Sequence, residues 1–174
     1  SEKLLKTSYS VHCEGRAIDW HMDARDKKKK RQAMHLMRKE LLATDKLGKL
    51  RENFTTPLPQ KYIDAFREID QDPNVELIVV EDDRGQIIGT FQMTFLRSLI
   101  YQGGLAAQIE AVRIRDDLRG KGFGKQAIKW AIARATEKGA HIVQLTSHKE
   151  RTDAIEFYRK LGFEATHEGM KLKL

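Results

Sequence analysis

The chain has 174 residues, with 32 Lys plus Arg against 25 Asp plus Glu and a net charge of +7. That length suits one domain with a core of its own, and a chain 33% charged and 40% hydrophobic is ordinary for a soluble globular protein. A single cysteine excludes an internal disulfide framework, the six histidines show no zinc spacing, and no apolar run approaches the ~18 residues of a membrane helix.

Ser1 to Gly15 has no apolar core segment, so no signal peptide is read there and the cytoplasm is the expected compartment. The same stretch reads as a loose N-terminal extension. Ala17 to Met22 suits a short strand. In the charged stretch Asp23 to Leu42, the apolar residues Ala33, Met34, Met37, Leu41 and Leu42 recur at helical spacing. Asp23 or Asp26 can cap that helix. Gly48, Pro57 and Pro59 mark a loop over Thr44 to Gln60. Tyr62, Ile63, Phe66 and Ile69 then share one helical face, and Pro73 ends that helix.

Val75 to Val80 is a β-branched run, Asp82-Asp83-Arg84-Gly85 is a turn, and Ile87 to Phe95 alternates apolar with polar residues. Together they predict a hairpin. Gly103-Gly104 marks another turn, and Ala107 to Ile114 is the next strand. Phe123, Ala127, Ile128, Ala131, Ile132 and Ala135 follow at helical spacing, with Gly139 where a helix-terminating glycine belongs. Ile142 to Leu145 is a short strand. Thr152 or Asp153 can cap a helix that Gly162 ends. Ser147 with Glu150 fits a capping box. Phe163 to Thr166 and Met170 to Leu174 suit two closing strands. The order βααβββαβαββ mixes helices with strands and predicts an α/β (mixed α+β) fold with both sheet faces covered.

Arg119-Gly120-Lys121-Gly122-Phe123-Gly124 lies between a strand and a helix. Glycines there let backbone N–H groups converge on an anion, and the helix N-terminus adds partial positive charge. The physical reading is a diphosphate cradle. The phosphate-loop pattern GxxxxGK[ST] fails, because Gln126 holds the Ser/Thr position. The dinucleotide pattern GxGxxG fails at Lys125, where its third glycine would fall.

Arg119-x-x-Gly122-x-Gly124 after a strand resembles the acetyl-CoA pyrophosphate loop of the GNAT superfamily of N-acetyltransferases. Downstream, Phe157-Tyr158-Arg159-Lys160-Leu161-Gly162-Phe163 resembles that family's FYxKLGF segment. The order of elements is similar from Ala17 to Leu174. The resemblance implies a central mixed, mostly antiparallel sheet flanked by helices. It divides the chain into an N-terminal extension, 1–16, and an acetyltransferase domain, 17–174. It implies transfer of an acetyl group from acetyl-CoA to a primary amine by direct attack on the thioester, with a small-molecule amine ahead of a protein. No metal is expected to take part.

The resemblance also assigns roles. Val112, Arg113 and Ile114 match the strand that splays from its neighbour and offers backbone groups to the pantetheine arm. An oxyanion donor is expected near Val112. Arg119, Gly120, Lys121, Gly122, Phe123, Gly124 and Lys125 match the pyrophosphate loop, and Arg151 or Lys149 can add charge for the phosphates. The family often has Asn where this chain has Arg151, which departs from its pantetheine contact. Tyr158 matches the tyrosine near the cofactor sulfur. A phenol with a pKa of roughly 10 is protonated at neutral pH and can donate to the thiolate.

Glu110 lies among Ile109, Ala111 and Val112, so a half-buried carboxylate with base character is expected. An ion pair with Arg113 or Arg115 is the structural alternative, at about even weight. For the acceptor, Asn53, Phe54, Tyr62, Gln92, Phe95 and the loop around Tyr101 are candidates, each with a core or surface alternative. A homodimer is open to members of the family.

Two other functions compete. Lys27-Lys28-Lys29-Lys30-Arg31 could contact nucleic-acid phosphates. On a helix these cations wrap around the axis and no aromatic is interleaved, so a solvated surface is favoured over a nucleic-acid partner. The third function, an acyl-CoA sensor without turnover, is disfavoured by the retained Tyr158.

Overall fold

A computed structural model of the chain describes residues 9–14, 17–22, 55, 57 and 59–173, the first two stretches as backbone alone. The expected helix over Asp23–Leu42, the Lys27–Arg31 run, Asn53 and Phe54 lie outside the described residues.

Six strands form one sheet in the order β2-β1-β3-β4-β5-β6. They are β1 (Tyr9–Glu14), β2 (Ala17–Met22), β3 (Val75–Glu81), β4 (Ile87–Arg97), β5 (Leu105–Ile114) and β6 (Ile142–Leu145). The pairs β1/β2, β3/β4 and β4/β5 are antiparallel, whereas β1/β3 and β5/β6 are parallel. The sheet is therefore mixed and mostly antiparallel. Among the described residues, three helices of eight residues or more accompany it: α1 (Gln60–Gln71), α2 (Phe123–Glu137) and α3 (Thr152–Arg159).

The β3/β4 hairpin closes as its sequence predicts. Asp82 Oδ1 accepts from the N–H of Arg84 at 3.0 Å and of Gln86 at 2.9 Å, and Gly85 takes the left-handed φ of 71° that the turn needs. At the end of α2, Ala140 N–H donates to Ala135 O and Gly139 N–H to Thr136 O, both at 2.9 Å. This paired closure needs a left-handed residue, and Gly139 has φ 74°.

One face of the sheet carries the core. Ile78, Val80, Phe91, Met93, Phe95, Leu105, Ala107 and Ile109 meet Ala127, Ile128, Trp130, Ala131 and Ala135 of α2. Phe91 and Trp130 pack edge to face, with centroids 5.9 Å apart. A buried ion pair joins the two layers. Arg134 donates to Glu76 Oε1 at 2.7 Å and to Oε2 at 3.0 Å. Two-pronged geometry of this kind offsets the cost of burying both charges.

Four expectations are corrected. Tyr9–Glu14 is a strand paired with β2 and β3, not a loose extension; Tyr9, Val11 and Cys13 alternate with Ser10, His12 and Glu14, as a strand requires. The two closing strands do not form, and no described residue from Phe163 to Lys173 is in a strand. Met170 is 92% and Leu172 87% exposed, so alternation there has no neighbouring strand to complete its hydrogen bonds. The N-cap of α3 is Arg151, without a side-chain cap. Nor does the Ser147–Glu150 box form, since Glu150 N–H meets His148 Nδ1 at 3.3 Å instead.

Candidate active site

The site begins where β5 stops pairing evenly. β5 matches β4 from Arg97↔Leu105 to Gln92↔Glu110, and pairing resumes at Thr90↔Arg113 and Gly89↔Ile114. Two residues, Ala111 and Val112, therefore oppose Phe91 alone, and Ala111 takes φ 52°. This is a β-bulge, which bends its strand and re-aims the backbone. On the other side, β5 pairs with β6 only from Ala106↔Ile142 to Ile109↔Leu145. Past Ile109 the two parallel strands share no further register pair, so Val112, Arg113 and Ile114 have no partner strand on that side.

Gly89 holds the bulged segment close. A Cβ there would lie 2.6 Å from Arg113 O and 2.6 Å from Ile114 Cδ1. No side chain fits between the strands at this position. The sequence reading passed over Gly89, although an isolated glycine inside a strand pattern is a signal of close approach.

After β5, Arg115 N–H donates to Ile88 O at 2.8 Å, and one 3-10 turn, Asp116–Leu118, leads into the glycine loop. Gly120 has φ 76° and Gly122 φ 91°, and open space surrounds the Cβ position of each. Their lack of a side chain is thus demanded by backbone conformation, not by crowding. Gly122 is also the N-cap of α2 and supplies no side-chain cap. The first-turn N–H groups of α2 are left for another acceptor.

The loop's cations are organised by its own carboxylates. Arg119 pairs with Asp116 at 2.5 Å. Arg115 grips Asp117 with two hydrogen bonds of 2.7 and 2.8 Å, and that contact holds the Asp117 carboxyl below its ordinary range. Lys121 and Lys125 are exposed.

The structure brings the two sequence motifs together. A Cβ on Gly124 would sit 3.5 Å from the Phe157 ring and 3.8 Å from Ile114 Cγ1. The glycine loop, the splayed strand and α3 therefore meet at one point. Next along α3, Tyr158 is half-buried between Phe157 (centroids 5.1 Å apart) and Phe163 (5.7 Å). Burial pushes its phenol above the ordinary value, while the charges of Arg113 and Arg151 pull the other way. Nη1 of Arg113 also donates to Val112 O at 2.9 Å.

Glu110 differs from expectation. Its side chain is exposed, not half-buried, because position 110 falls on the sheet face turned away from α2, opposite Gln92. The alternative, an ion pair with Arg113 or Arg115, does not form either: Arg115 pairs with Asp117 and Arg113 donates to Val112 O. Phe95 does not line an acceptor site. It is 5% exposed, on the core face, with Lys138 Nζ 5.3 Å from its ring centroid. Gln92 and Tyr62 are half-buried. Tyr101 packs on His141, with centroids 4.7 Å apart, at the far end of β5 from the glycine loop.

Comparison with known proteins agrees with this geometry. The model of the acetyltransferase (GNAT) family matches residues 45–163. The crystal structure of a transcriptional regulator from Bacillus halodurans C-125 is 45% identical and superposes with a TM-score of 0.76, covering 85% of this chain and 95% of that one. Aminoalkylphosphonate N-acetyltransferase of Salmonella typhimurium is 25% identical over 62% of this chain and 69% of its own length. L-methionine sulfoximine/L-methionine sulfone acetyltransferase of Pseudomonas aeruginosa is 31% identical over 51% of this chain; the match spans about half of that protein.

Proposed function

The chain belongs to the acetyltransferase (GNAT) family, and from that premise we propose that it moves an acetyl group from acetyl-CoA to the primary amine of a small molecule by direct attack on the thioester. The observation that carries this reading is the approach of Phe157 and Ile114 to Gly124, close enough that a Cβ there would be in van der Waals contact with both. It joins an open anion cradle to the unpartnered side of β5 and to a half-buried phenol.

Each part has a task. The N–H groups of the glycine loop and the first turn of α2 receive the diphosphate, with Arg119, Lys121, Lys125 and Arg151 supplying positive charge. Gly120 and Gly122 are fit for this, because nothing crowds their surface. The backbone of Val112, Arg113 and Ile114 holds the pantetheine arm on the side where β6 no longer pairs. An N–H at the bulge, near Val112, meets the oxyanion. The amine nitrogen forms the new C–N bond as the C–S bond breaks. Glu110, directly or through water, takes the amine's surplus proton, and the Tyr158 hydroxyl gives one to the departing thiolate. Both groups regain their starting state by proton exchange with solvent.

The named relatives support a small acceptor. One is an aminoalkylphosphonate N-acetyltransferase and another acts on methionine sulfoximine or sulfone. The test is release of free thiol from acetyl-CoA across a panel of small amines, with acetyl-CoA binding followed by calorimetry. Binding and amine-dependent release are expected; a chain that does not bind acetyl-CoA ends the proposal. Glu110→Gln is expected to move the acidic limb of the pH–rate profile, and an unmoved profile assigns the base elsewhere.

A second reading, nucleic-acid binding, draws on the likeness to the Bacillus halodurans transcriptional regulator and on the Lys27–Arg31 run. It requires binding of duplex DNA or RNA that weakens steeply with salt. No binding at low salt removes it.

A further inference from the structure

At the end of β4 and β5 far from the glycine loop, the sheet carries an open apolar surface. Leu96, Ala106 and Ile142 stand side by side across three strands. They are on the face turned away from α2, since their neighbours Phe95, Leu105 and Ala107 are in the core. Leu96 is 46% and Ile142 45% exposed. The turn between β4 and β5 continues this row. Gly104 precedes the core residue Leu105, so a Cβ on it would also point to the outer face. There it would meet His141 Nδ1 at 2.7 Å and Tyr101 Cβ at 3.0 Å. The stacked rings of Tyr101 and His141 therefore lie next along that face from Ala106. In the same turn Leu99 is 98%, Ile100 66% and Tyr101 72% exposed.

The backbone of this turn is strained. Tyr101 (φ 52°, ψ 39°) and Gln102 (φ 56°, ψ 43°) are both left-handed, a costly conformation for residues other than glycine. Gly104 N–H donates to Ile100 O at 3.1 Å and Arg97 Nη1 to Gly103 O at 2.8 Å, which fixes the turn from both ends. Strain that fixed contacts impose in this way gathers at functional places. The size and charge of the patch decide what covers it. A large side chain offers roughly 150 Å² or more, so the five exposed ones leave on the order of 500 Å² open, at the upper end for a monomer. From Leu96 to Gly104 the only charged residue is Arg97, so a charged partner gains little there. An identical patch, brought to it by a twofold axis, matches it in size and in character. Two such patches together remove about 1,000 Å² from water, enough for a weak, reversible dimer.

We infer that this patch is a self-association surface, through which two copies of the chain pair about a twofold axis. The Leu99–Tyr101 turn of each copy rests on the Leu96–Ala106–Ile142 row of the other. The glycine loop, at the opposite end of β5, stays open in both. Each copy carries a net charge of +7, so the two repel one another until salt screens them. Sulfate also strengthens apolar contact. The pairing therefore tightens as sulfate is added, opposite in sign to an ionic contact or to nucleic-acid binding.

The experiment is sedimentation velocity on the unmodified chain, Leu99→Lys and Ile142→Lys, at low and high sodium sulfate, over a concentration series centred on about 10 μM. The unmodified chain is expected to pass from the mass of one chain to twice that mass, and to do so at lower concentration in high sulfate. Each variant is expected to raise the concentration needed by about tenfold or more. Leu99 is 98% exposed, so its replacement leaves the fold intact, which an unchanged melting temperature and unchanged acetyl-CoA binding verify. A chain that stays monomeric throughout, variants that pair as the unmodified chain does, or pairing that sulfate weakens each overturn the inference. A monomer that instead floats with phosphatidylcholine vesicles assigns the patch to a lipid surface and overturns it too. None of these outcomes bears on the acetyl-transfer reading, which fails only with acetyl-CoA binding or turnover.

Discussion

The two halves of β5 belong to one strand and do opposite work. Leu105 to Ile109 is hydrogen-bonded to β4 on one side and, from Ala106, to β6 on the other, with alternate residues buried against α2. Ala111 to Ile114 is bulged, keeps β4 only from Arg113 onward, and has lost β6. The first half is locked by pairing and packing. The second half holds backbone groups that pairing has released, next to Tyr158, Arg113 and the glycine loop. The chemistry is assigned to the place where the sheet stops satisfying itself. Changes in the two halves are therefore expected to show up in different measurements.

The largest effect is expected at Tyr158. Tyr158→Phe removes the proton donor and leaves the ring packing with Phe157 and Phe163 intact. Turnover is expected to fall about 100-fold, at the low end for a positioned general acid, with KM for acetyl-CoA and the melting temperature unchanged. The pH dependence has a definite sign. Burial raises the phenol's pKa, so its protonated, active form persists through its ordinary value of roughly 10, and ionisation of Tyr158 lowers kcat only above that. A variant with full turnover, or a decline below pH ~9 that Tyr158→Phe abolishes, contradicts the acid role.

Gly89→Ala comes next and links the halves. Its Cβ would meet Arg113 O and Ile114 Cδ1 at 2.6 Å, so β5 must shift away from β4. A loss of about 1–3 kcal/mol in stability, typical of overpacking, is expected in thermal denaturation. Weaker acetyl-CoA binding by calorimetry should accompany it. Stability lost with binding intact would separate Gly89 from the site.

Ile109→Val is expected to be the mildest. Ile109 is 2% exposed, in the paired half, and losing one methyl group costs about 0.5–1.5 kcal/mol. Neither kcat nor the acetyl-CoA KM should change. A clear fall in kcat would show that the paired half also shapes the reaction, and the division of β5 would not hold.

Much of this was legible in the residues. The alternation in β4, the Asp82–Gly85 turn and the period of α2 are local signals, and the elements stand where those signals put them. The left-handed conformations of Gly120 and Gly122 agree with the cradle read from their spacing. Other features had no local sign. Ala111 carries a positive φ that nothing in its type announces. Phe95 belonged equally well to a core or a pocket until the register put it on the α2 face. Arg134 carries no local sign of burial, yet it is buried because Glu76, 58 residues away, faces it.

The glycine loop, the Phe157–Phe163 segment and the net positive charge were thus determined by the sequence alone, because φ preference, helical period and charge are properties of neighbouring residues. The tertiary structure decided where β5 leaves β6, that Phe157 lies over the Cα of Gly124, and that Glu110 stands exposed opposite Gln92. Those facts depend on which residues oppose one another across strands. A shift of a single residue in register would carry every one of them to the opposite face.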